Sequence, residues 1–343
     1  MPHLAAIILG AKAPLEVQEV QTPRPGPGPG ELLVKNELVG LQPIDAKFAK
    51  AAMFPLQYPV VLGTSFGGTV TAIGDDVAGF SVGDKVAAKK TALAIGNESG
   101  AFQQYVIARD ISASKLPKNM DLSLAVSLIG NLSTVVGLFT LSAGLEKPDL
   151  VGQAPARNRT VLVYGGTSSF GSLSVQYVKQ AGYTVTTTTS PKHESFVSKL
   201  GAVKVIDHTQ GQETVVKALI AEGPYDLVVD AISTPSTISV TAAVLGAQGG
   251  GEVYALQPPF GPETLPQGVT RKFASWHVRL SEEENAGLLK WAFNSYLPLA
   301  IAKGGLLPLP TQKVSGGLAG LNEALTVLNK GVSGVKIVVD PWE

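Results

Sequence analysis

The chain changes its hydrophobic rhythm part-way along. Up to about residue 120, short apolar runs are cut apart by glycine and proline. Leu32-Leu33-Val34-Lys35 and Val60-Val61-Leu62 read as strands, and residues 68–74 alternate with β-branched residues enriched. Pro25-Gly26-Pro27-Gly28-Pro29-Gly30, Gly74-Asp75-Asp76 and Gly83-Asp84 supply the turns. From about residue 160 the pattern is different. Thr160-Val161-Leu162-Val163-Tyr164 is a buried strand that runs into Gly165-Gly166-Thr167-Ser168-Ser169-Phe170-Gly171. Phe170, Leu173, Tyr177, Val178 and Ala181 then recur at helical spacing, with Gly182 suited to the position just past the helix end. Further strands are expected over 183–189, 203–206, 227–230 and 251–256, with helices over 193–200 and 215–222. Strands alternating with helices predict an α/β fold with a doubly wound parallel sheet. The tail carries a helix over 318–328 and a last strand over 335–339.

Residues 122–145 hold no charge and are long enough to span a bilayer. They also carry Ser123, Ser127, Asn131, Ser133, Thr134, Thr140 and Ser142, and their flanks are the acids Asp121 and Glu146. A buried helical segment is the expectation, not a membrane span. The first ten residues lack a basic region and read as a strand, so the expected compartment is the cytosol.

Composition narrows the chemistry. Apolar residues make up 45% and charged residues 16%, enough for a sizeable core. Lys plus Arg and Asp plus Glu both number 27, so no basic excess serves a nucleic-acid partner. There is no cysteine, which removes disulfides, thiol catalysis and cysteine zinc sites.

The glycine turn is the main chemical signal. Gly165 permits a tight exit from the strand, and N–H groups at the helix start attract a diphosphate. Gly171 lets the helix pack on the strand, while Ser168 holds the middle glycine position of the usual motif. Thr167, Ser168 and Ser169 add hydroxyl donors. An ordinary βα turn is the alternative. Past the second strand the chain reads Thr188-Thr189-Ser190-Pro191-Lys192-His193, with no acid to repel a 2′-phosphate. Ser190 and Lys192 therefore favour NADPH, the alternative being a polar surface loop.

Five segments carry a family resemblance. Leu41-Gln42-Pro43-Ile44-Asp45-Ala46-Lys47 is similar to N-P-x-D-x-K, with Gln42 in place of Asn. Residues 62–70 and 80–86 are similar to G-x-D-F-x-G-x-V and F-x-V-G-D-x-V, with Ser65 in place of Asp. Residues 100–106 are similar to G-x-F-x-E-Y, with Gln104 in place of Glu. The cofactor turn over 161–171 is the fifth. Together they resemble the medium-chain dehydrogenase/reductase superfamily over nearly the whole chain. The Tyr164-Gly165-Gly166-Thr167 turn looks most like fungal trans-acting enoyl reductases that partner polyketide synthases.

The resemblance implies a GroES-like β domain, residues 1–122 completed by 303–343, around a Rossmann domain over 123–302, with a cofactor cleft between them. It places Thr134 and Leu256-Gln257 near the nicotinamide and His208 near the adenosine phosphate. The first zinc-ligand position falls in Gln42-Pro43 and the second is Thr64, while His3, His193, His208 and His277 are scattered. The zinc-free branch is implied, which reduces activated C=C bonds. There a hydride reaches the β-carbon, an enolate develops, and the α-carbon takes a proton. Lys47, in the D-x-K segment, is the candidate polar group, and Thr134 the candidate for positioning. Lys47 could equally be a surface lysine or a structural partner of Asp45. The implied substrate is an enoyl thioester on a synthase carrier, and a monomer is implied. Quinone or enone reduction is the nearest alternative, and a non-redox ligand cleft on the same scaffold is the alternative of another class. Gly63-Thr64-Ser65-Phe66-Gly67 fits the serine-hydrolase elbow, but a strand follows where a helix is needed. Phe54, Phe139, Phe260 and Trp276 are either core or the lining of an apolar tunnel. Arg24 has no basic neighbours to make a docking patch.

Overall fold

A computed structural model describes residues 2–21, 26–53, 55–92, 94 and 96–343. Phe54 and Arg24 lie outside the described residues. The chain forms two compact units, Met1–Ser133 with Leu280–Glu343, and Thr134–Arg279.

The first unit begins with strands β1 (Pro2–Ile8), β2 (Leu15–Gln21), β3 (Glu31–Gly40), β4 (Val60–Val61), β5 (Ser65–Ile73), β6 (Lys85–Lys89), β7 (Tyr105–Arg109) and β8 (Ala113–Leu116). The second unit contributes β9 (Thr160–Tyr164), β10 (Thr184–Thr189), β11 (Lys204–Asp207), β12 (Leu227–Asp230), β13 (Gly251–Ala255) and β14 (Val269–Phe273). The chain then returns to the first unit for β15 (Thr311–Lys313) and β16 (Lys336–Val339).

In the first unit one sheet runs β2-β1-β4 and a larger one runs β15-β16-β3-β5-β6-β8, with β7 also on β3. Leu32, Val34, Phe66, Val70, Val86 and Val106 point into one core. The helix Gly317–Lys330 closes it. Its buried positions Leu318, Leu321, Ala324, Leu325 and Leu328 recur at helical spacing, and each buried leucine stabilises by about 1.5–3 kcal/mol.

The unit boundaries differ from the expected 122/123 and 302/303 edges, and packing shows why. The helix Leu122–Val136 lies flush on the β sheet because Gly40 and Gly67 face it. A Cβ at Gly40 would sit 2.4 Å from Val126 Cγ1, and one at Gly67 2.8 Å from Val126 Cγ2. The chain up to Ser133 therefore belongs with the β unit. On the return, Ser114 donates to the Phe293 carbonyl at 2.6 Å, and Asn294 donates to the carbonyls of Asp110 at 3.0 Å and Ala113 at 2.6 Å. Those bonds bring the stretch before residue 303 into the same unit.

In the second unit six parallel strands run β11-β10-β9-β12-β13-β14, the Rossmann order. Both faces of the central strands are covered, so β9 and β12 are apolar almost throughout. The helix Ser169–Gln180 packs beside β9 and β10, and Pro235–Ala247 beside β12 and β13. The uncharged segment is helical over Leu122–Ser142, ending in a π-helical stretch, and 72% of its most apolar window is buried. Phe139 is fully buried and stacks on Phe170, and Trp276 is buried with its indole N–H on the Ala255 carbonyl. These two are core. Phe260 is 52% exposed, so these aromatics do not line one tunnel.

Candidate functional site

The glycine turn is built by close approach. Gly165 has φ +90°, and a Cβ there would meet Ile232 Cγ1 at 2.7 Å. A Cβ at Gly166 would lie 2.4 Å from Thr187 Oγ1, and one at Gly171 only 2.1 Å from the Gly165 carbonyl oxygen. The Gly165 N–H donates to Thr188 Oγ1 and the Gly166 N–H to the Thr188 carbonyl, both at 2.9 Å, pinning the turn to β10. Ser168 is the helix N-cap. Its hydroxyl accepts from the Gly171 N–H and donates to the Gly165 carbonyl, each at 2.9 Å. That hydroxyl closes the turn, so Ser168 shapes the cradle where a free phosphate donor was expected. The Phe170 ring is buried against Phe139, leaving only its backbone to face a ligand. Thr167 and Ser169 are half-buried, and Thr189 Oγ1 lies 3.4 Å from Thr167 Oγ1. A tight turn whose glycines have no room for a Cβ, at the start of a helix of 12 residues, fits a dinucleotide pyrophosphate.

At the neighbouring strand ends, Ser190 follows β10 and Lys192 is exposed. His208 is exposed beside Tyr164, ring centroids 6.3 Å apart. The pairing of β10 with β11 also sets Thr189 opposite Asp207, an acid invisible along residues 188–193 because it belongs to the next strand. Hydrogen bonds from the Thr209 hydroxyl and N–H hold its carboxyl below the usual range. Beyond β13, the Leu256 N–H donates to Ser233 Oγ at 2.7 Å and the Gln257 amide to the Ile232 carbonyl at 2.5 Å. Arg271 donates to the Gln257 carbonyl at 2.6 Å. These bonds make a braced rim at the ends of β12 and β13.

The first unit holds a buried polar cluster that joins Gln42, Asp45 and Ser65 of the family segments to Lys89 and Lys336, which no motif singles out. Asp45, fully buried, accepts from the Gln42 N–H at 2.7 Å. The Gln42 amide donates to Ser65 Oγ and accepts from Asn131, both at 3.2 Å, and Ser65 donates to the Gly40 carbonyl. Ser65 is thus committed to structure within β5. Lys89, at the end of β6, donates to Ser133 Oγ at 2.7 Å. Lys336 of β16 is 2% exposed, and its ammonium makes no hydrogen bond. Burial dominates all three charges. It raises Asp45 to about 6 against the opposing pull of the Gln42 N–H, Lys336 and Lys89. It lowers Lys89 to about 8 and Lys336 to about 7, Asp45 opposing the change in both.

Lys47 opens the π-helical turn Lys47–Ala51 and is half-buried, with its pKa lowered by burial. Thr134 is half-buried near the end of the helix Leu122–Val136. The two fall in different compact units.

Residues 28–118 match the alcohol dehydrogenase GroES-like domain. The chain is 30% identical over 312 residues to the trans-enoyl reductase himH of Aspergillus japonicus, covering 90% of this chain and 89% of that protein. It is 32% identical over 350 residues to the dehydrogenase azaJ of Aspergillus niger, covering 98% of both. This chain belongs to the medium-chain dehydrogenase/reductase superfamily. Among solved structures it is similar to mycobacterial Rv1454c complexed with NADPH, with a TM-score of 0.73 and 22% identity over 99% of this chain and 100% of that one. Gln42 is spent on Ser65 and Asn131, and among the described residues no three His, Cys, Asp or Glu side chains are grouped to hold a metal ion.

Proposed function

We propose that this oxidoreductase is an NADPH-dependent, zinc-independent reductase of activated C=C bonds. Its substrate is an enoyl thioester of a polyketide intermediate, reduced in trans to a polyketide synthase in the cytosol. The observation that carries the reading is the glycine cradle at the start of the helix Ser169–Gln180, in a chain similar to proteins named trans-enoyl reductases.

Bound in that cradle, NADPH would supply the hydride for the substrate β-carbon. The backbone around Gly165, Gly166, Thr167, Ser169 and Phe170 would hold the diphosphate, and Ser190, Lys192 and His208 the adenosine phosphate. The rim at Leu256-Gln257, fixed by Ser233, Ile232 and Arg271, would limit the nicotinamide to one orientation. The Lys47 side chain, its pKa lowered by burial, would face the charge that develops on a carbonyl oxygen. The Thr134 hydroxyl would position the cofactor amide or a substrate carbonyl.

The test is a fluorescence titration of NADPH against NADH, read from Trp276, Trp291 and Trp342, followed by turnover of enoyl thioesters. NADPH binding tighter than NADH, with thioester reduction, is expected. Binding of neither nucleotide would refute the reading, and turnover of quinones or free enones alone would move the substrate to the neighbouring class.

A further inference from the structure

We infer that Ser233 is a positioning residue for the nicotinamide half of the cofactor, fixing the Leu256-Gln257 rim to the glycine turn. The inference rests on the reading above, because it takes NADPH to lie across that turn and that rim.

Ser233 stands in a conformation that its residue type rarely adopts. It is fully buried with φ +59°, in the left-handed region that glycine takes freely and an L side chain takes only against strain. The turn out of β12 imposes that conformation. Asp230 Oδ1 accepts from the Ile232 N–H at 2.9 Å and from the Ser233 N–H at 2.7 Å, which folds the chain back sharply. Glycine at this position would make the same turn and the same N–H bond without strain. What serine adds is a hydroxyl.

That hydroxyl bonds in two directions. It donates to the Asp230 carbonyl at 2.6 Å and accepts from the Leu256 N–H at 2.7 Å. The pairing of β12 with β13 ends at Asp230 opposite Ala255, so the hydroxyl carries the connection one residue beyond the ladder. The Gln257 amide adds a second tie, to the Ile232 carbonyl at 2.5 Å. On its other side the same segment touches the cradle. A Cβ at Gly165 would meet Ile232 Cγ1 at 2.7 Å and Cδ1 at 2.8 Å, so the Ile232 side chain lies directly on the glycine turn. Residues 231–233 thus hold the turn and the rim at one spacing, all within the unit Thr134–Arg279.

The two halves of the nucleotide depend on this spacing differently. The diphosphate is held by the turn whether or not the rim is in register. The nicotinamide end depends on the rim, and a hydride donor must be held in one orientation to react. Removing the Ser233 hydroxyl leaves the Leu256 N–H and the Asp230 carbonyl unbridged, so the rim loosens. The turn keeps its shape, because Thr188 pins it to β10 from the other side. The loss therefore falls on the nicotinamide end of the nucleotide.

The experiment compares wild type with Ser233→Gly, which accepts the positive φ and removes the hydroxyl. Two probes are titrated by tryptophan fluorescence: NADPH, and 2′-phospho-ADP-ribose, which has the same diphosphate and 2′-phosphate but no nicotinamide. Amide hydrogen exchange of the nucleotide-free protein is followed at Leu256 and at Gly165 and Gly166. In Ser233→Gly, NADPH affinity should fall about tenfold while the fragment binds within twofold of wild type. The Leu256 amide should exchange at least tenfold faster, roughly, with the Gly165 and Gly166 amides unchanged. An equal loss for both probes would make Ser233 a merely structural residue and overturn the inference, as would an unchanged NADPH affinity. Should Ser233→Gly fail to fold, Ser233→Cys keeps the shape with a weaker bond. The same split between probes is expected there at about threefold, and an equal loss again overturns the inference. A wild type that binds neither probe refutes the NADPH reading and the inference with it. A wild type that binds both, with no split in the variants, refutes the inference alone.

Discussion

Replacing Lys336 with methionine should stabilise the protein, against the usual cost of a core substitution. Lys336 is 2% exposed and its ammonium has no hydrogen-bond partner. Its pKa is pushed from 10.5 down to about 7, chiefly by burial, with Lys89 reinforcing the change and Asp45 resisting it. A tenfold weakening of proton binding corresponds to about 1.4 kcal/mol, so keeping the charge inside at pH 6 costs at most about 4–5 kcal/mol. Methionine has similar length and no charge. Some of that gain is returned, because Asp45 loses an opposite charge, and about 2 kcal/mol of net stabilisation is expected. The sign with pH follows from linkage. The folded-state value lies below the unfolded one, so the unfolded chain binds more protons between about pH 7 and 10.5, and wild-type stability rises with pH across that window. Lys89, lowered to about 8, adds to the slope above pH 8. Asp45, raised from 3.8 to about 6, acts in the opposite sense lower down, and its contribution is lost as pH rises through that range. Urea unfolding at pH 6, 8 and 10, followed by tryptophan fluorescence, reads all of this. Lys336→Met should unfold at higher urea than wild type at pH 6, and the two should converge by pH 10. A variant less stable at pH 6, with the wild-type pH slope intact, would show that the Asp45–Lys336 attraction outweighs desolvation and would refute the argument.

Three further outcomes concern the cofactor cradle. Gly171→Ala places a Cβ 2.1 Å from the Gly165 carbonyl, a backbone atom that cannot swing away, so NADPH affinity should fall at least tenfold by titration while circular dichroism still shows a folded chain. Ser190→Ala with Lys192→Ala should lower NADPH affinity about tenfold and leave NADH within twofold; an equal loss for both would show that these residues do not face the 2′-phosphate. Asp207→Asn should raise NADPH affinity severalfold at low salt and not at 0.5 M, roughly, because the Debye length shrinks with added ions. An identical gain for NADH would remove Asp207 from the question of coenzyme choice.

The Rossmann half was legible because its signals are local. A buried run such as Val161-Leu162-Val163-Tyr164, a glycine turn and a helical period occupy one short stretch, and β9 and β12 have the expected bounds. The unit boundary was less legible. The apolar stretch over 122–145 is continuous in composition, and only the facing glycines, Gly40 and Gly67, show that its first turns pack on the β unit. Asp207 was missed because coenzyme choice was read along one strand, while pairing brings in the next. The buried cluster was the least legible of all. Lys89-Lys90 reads as a polar strand end, and Lys336 is a lone charge in the apolar run over 335–339. Nothing local indicates that both ammonium groups are buried around Asp45.

That cluster also bears on how the chain departs from the metal-binding members of its superfamily. Gln42 and Thr64 stand where the resemblance places zinc ligands, and the surrounding positions carry Asp45, Lys89, Lys336, Ser65, Asn131 and Ser133 rather than apolar fillers. Burying two ammonium groups against one carboxylate costs stability, and methionine or leucine at Lys336 would fill the same space more cheaply. Local violations of an apolar core concentrate where a protein does chemistry. Asp45, Lys89 and Lys336 are such a violation, three buried charges within one β unit.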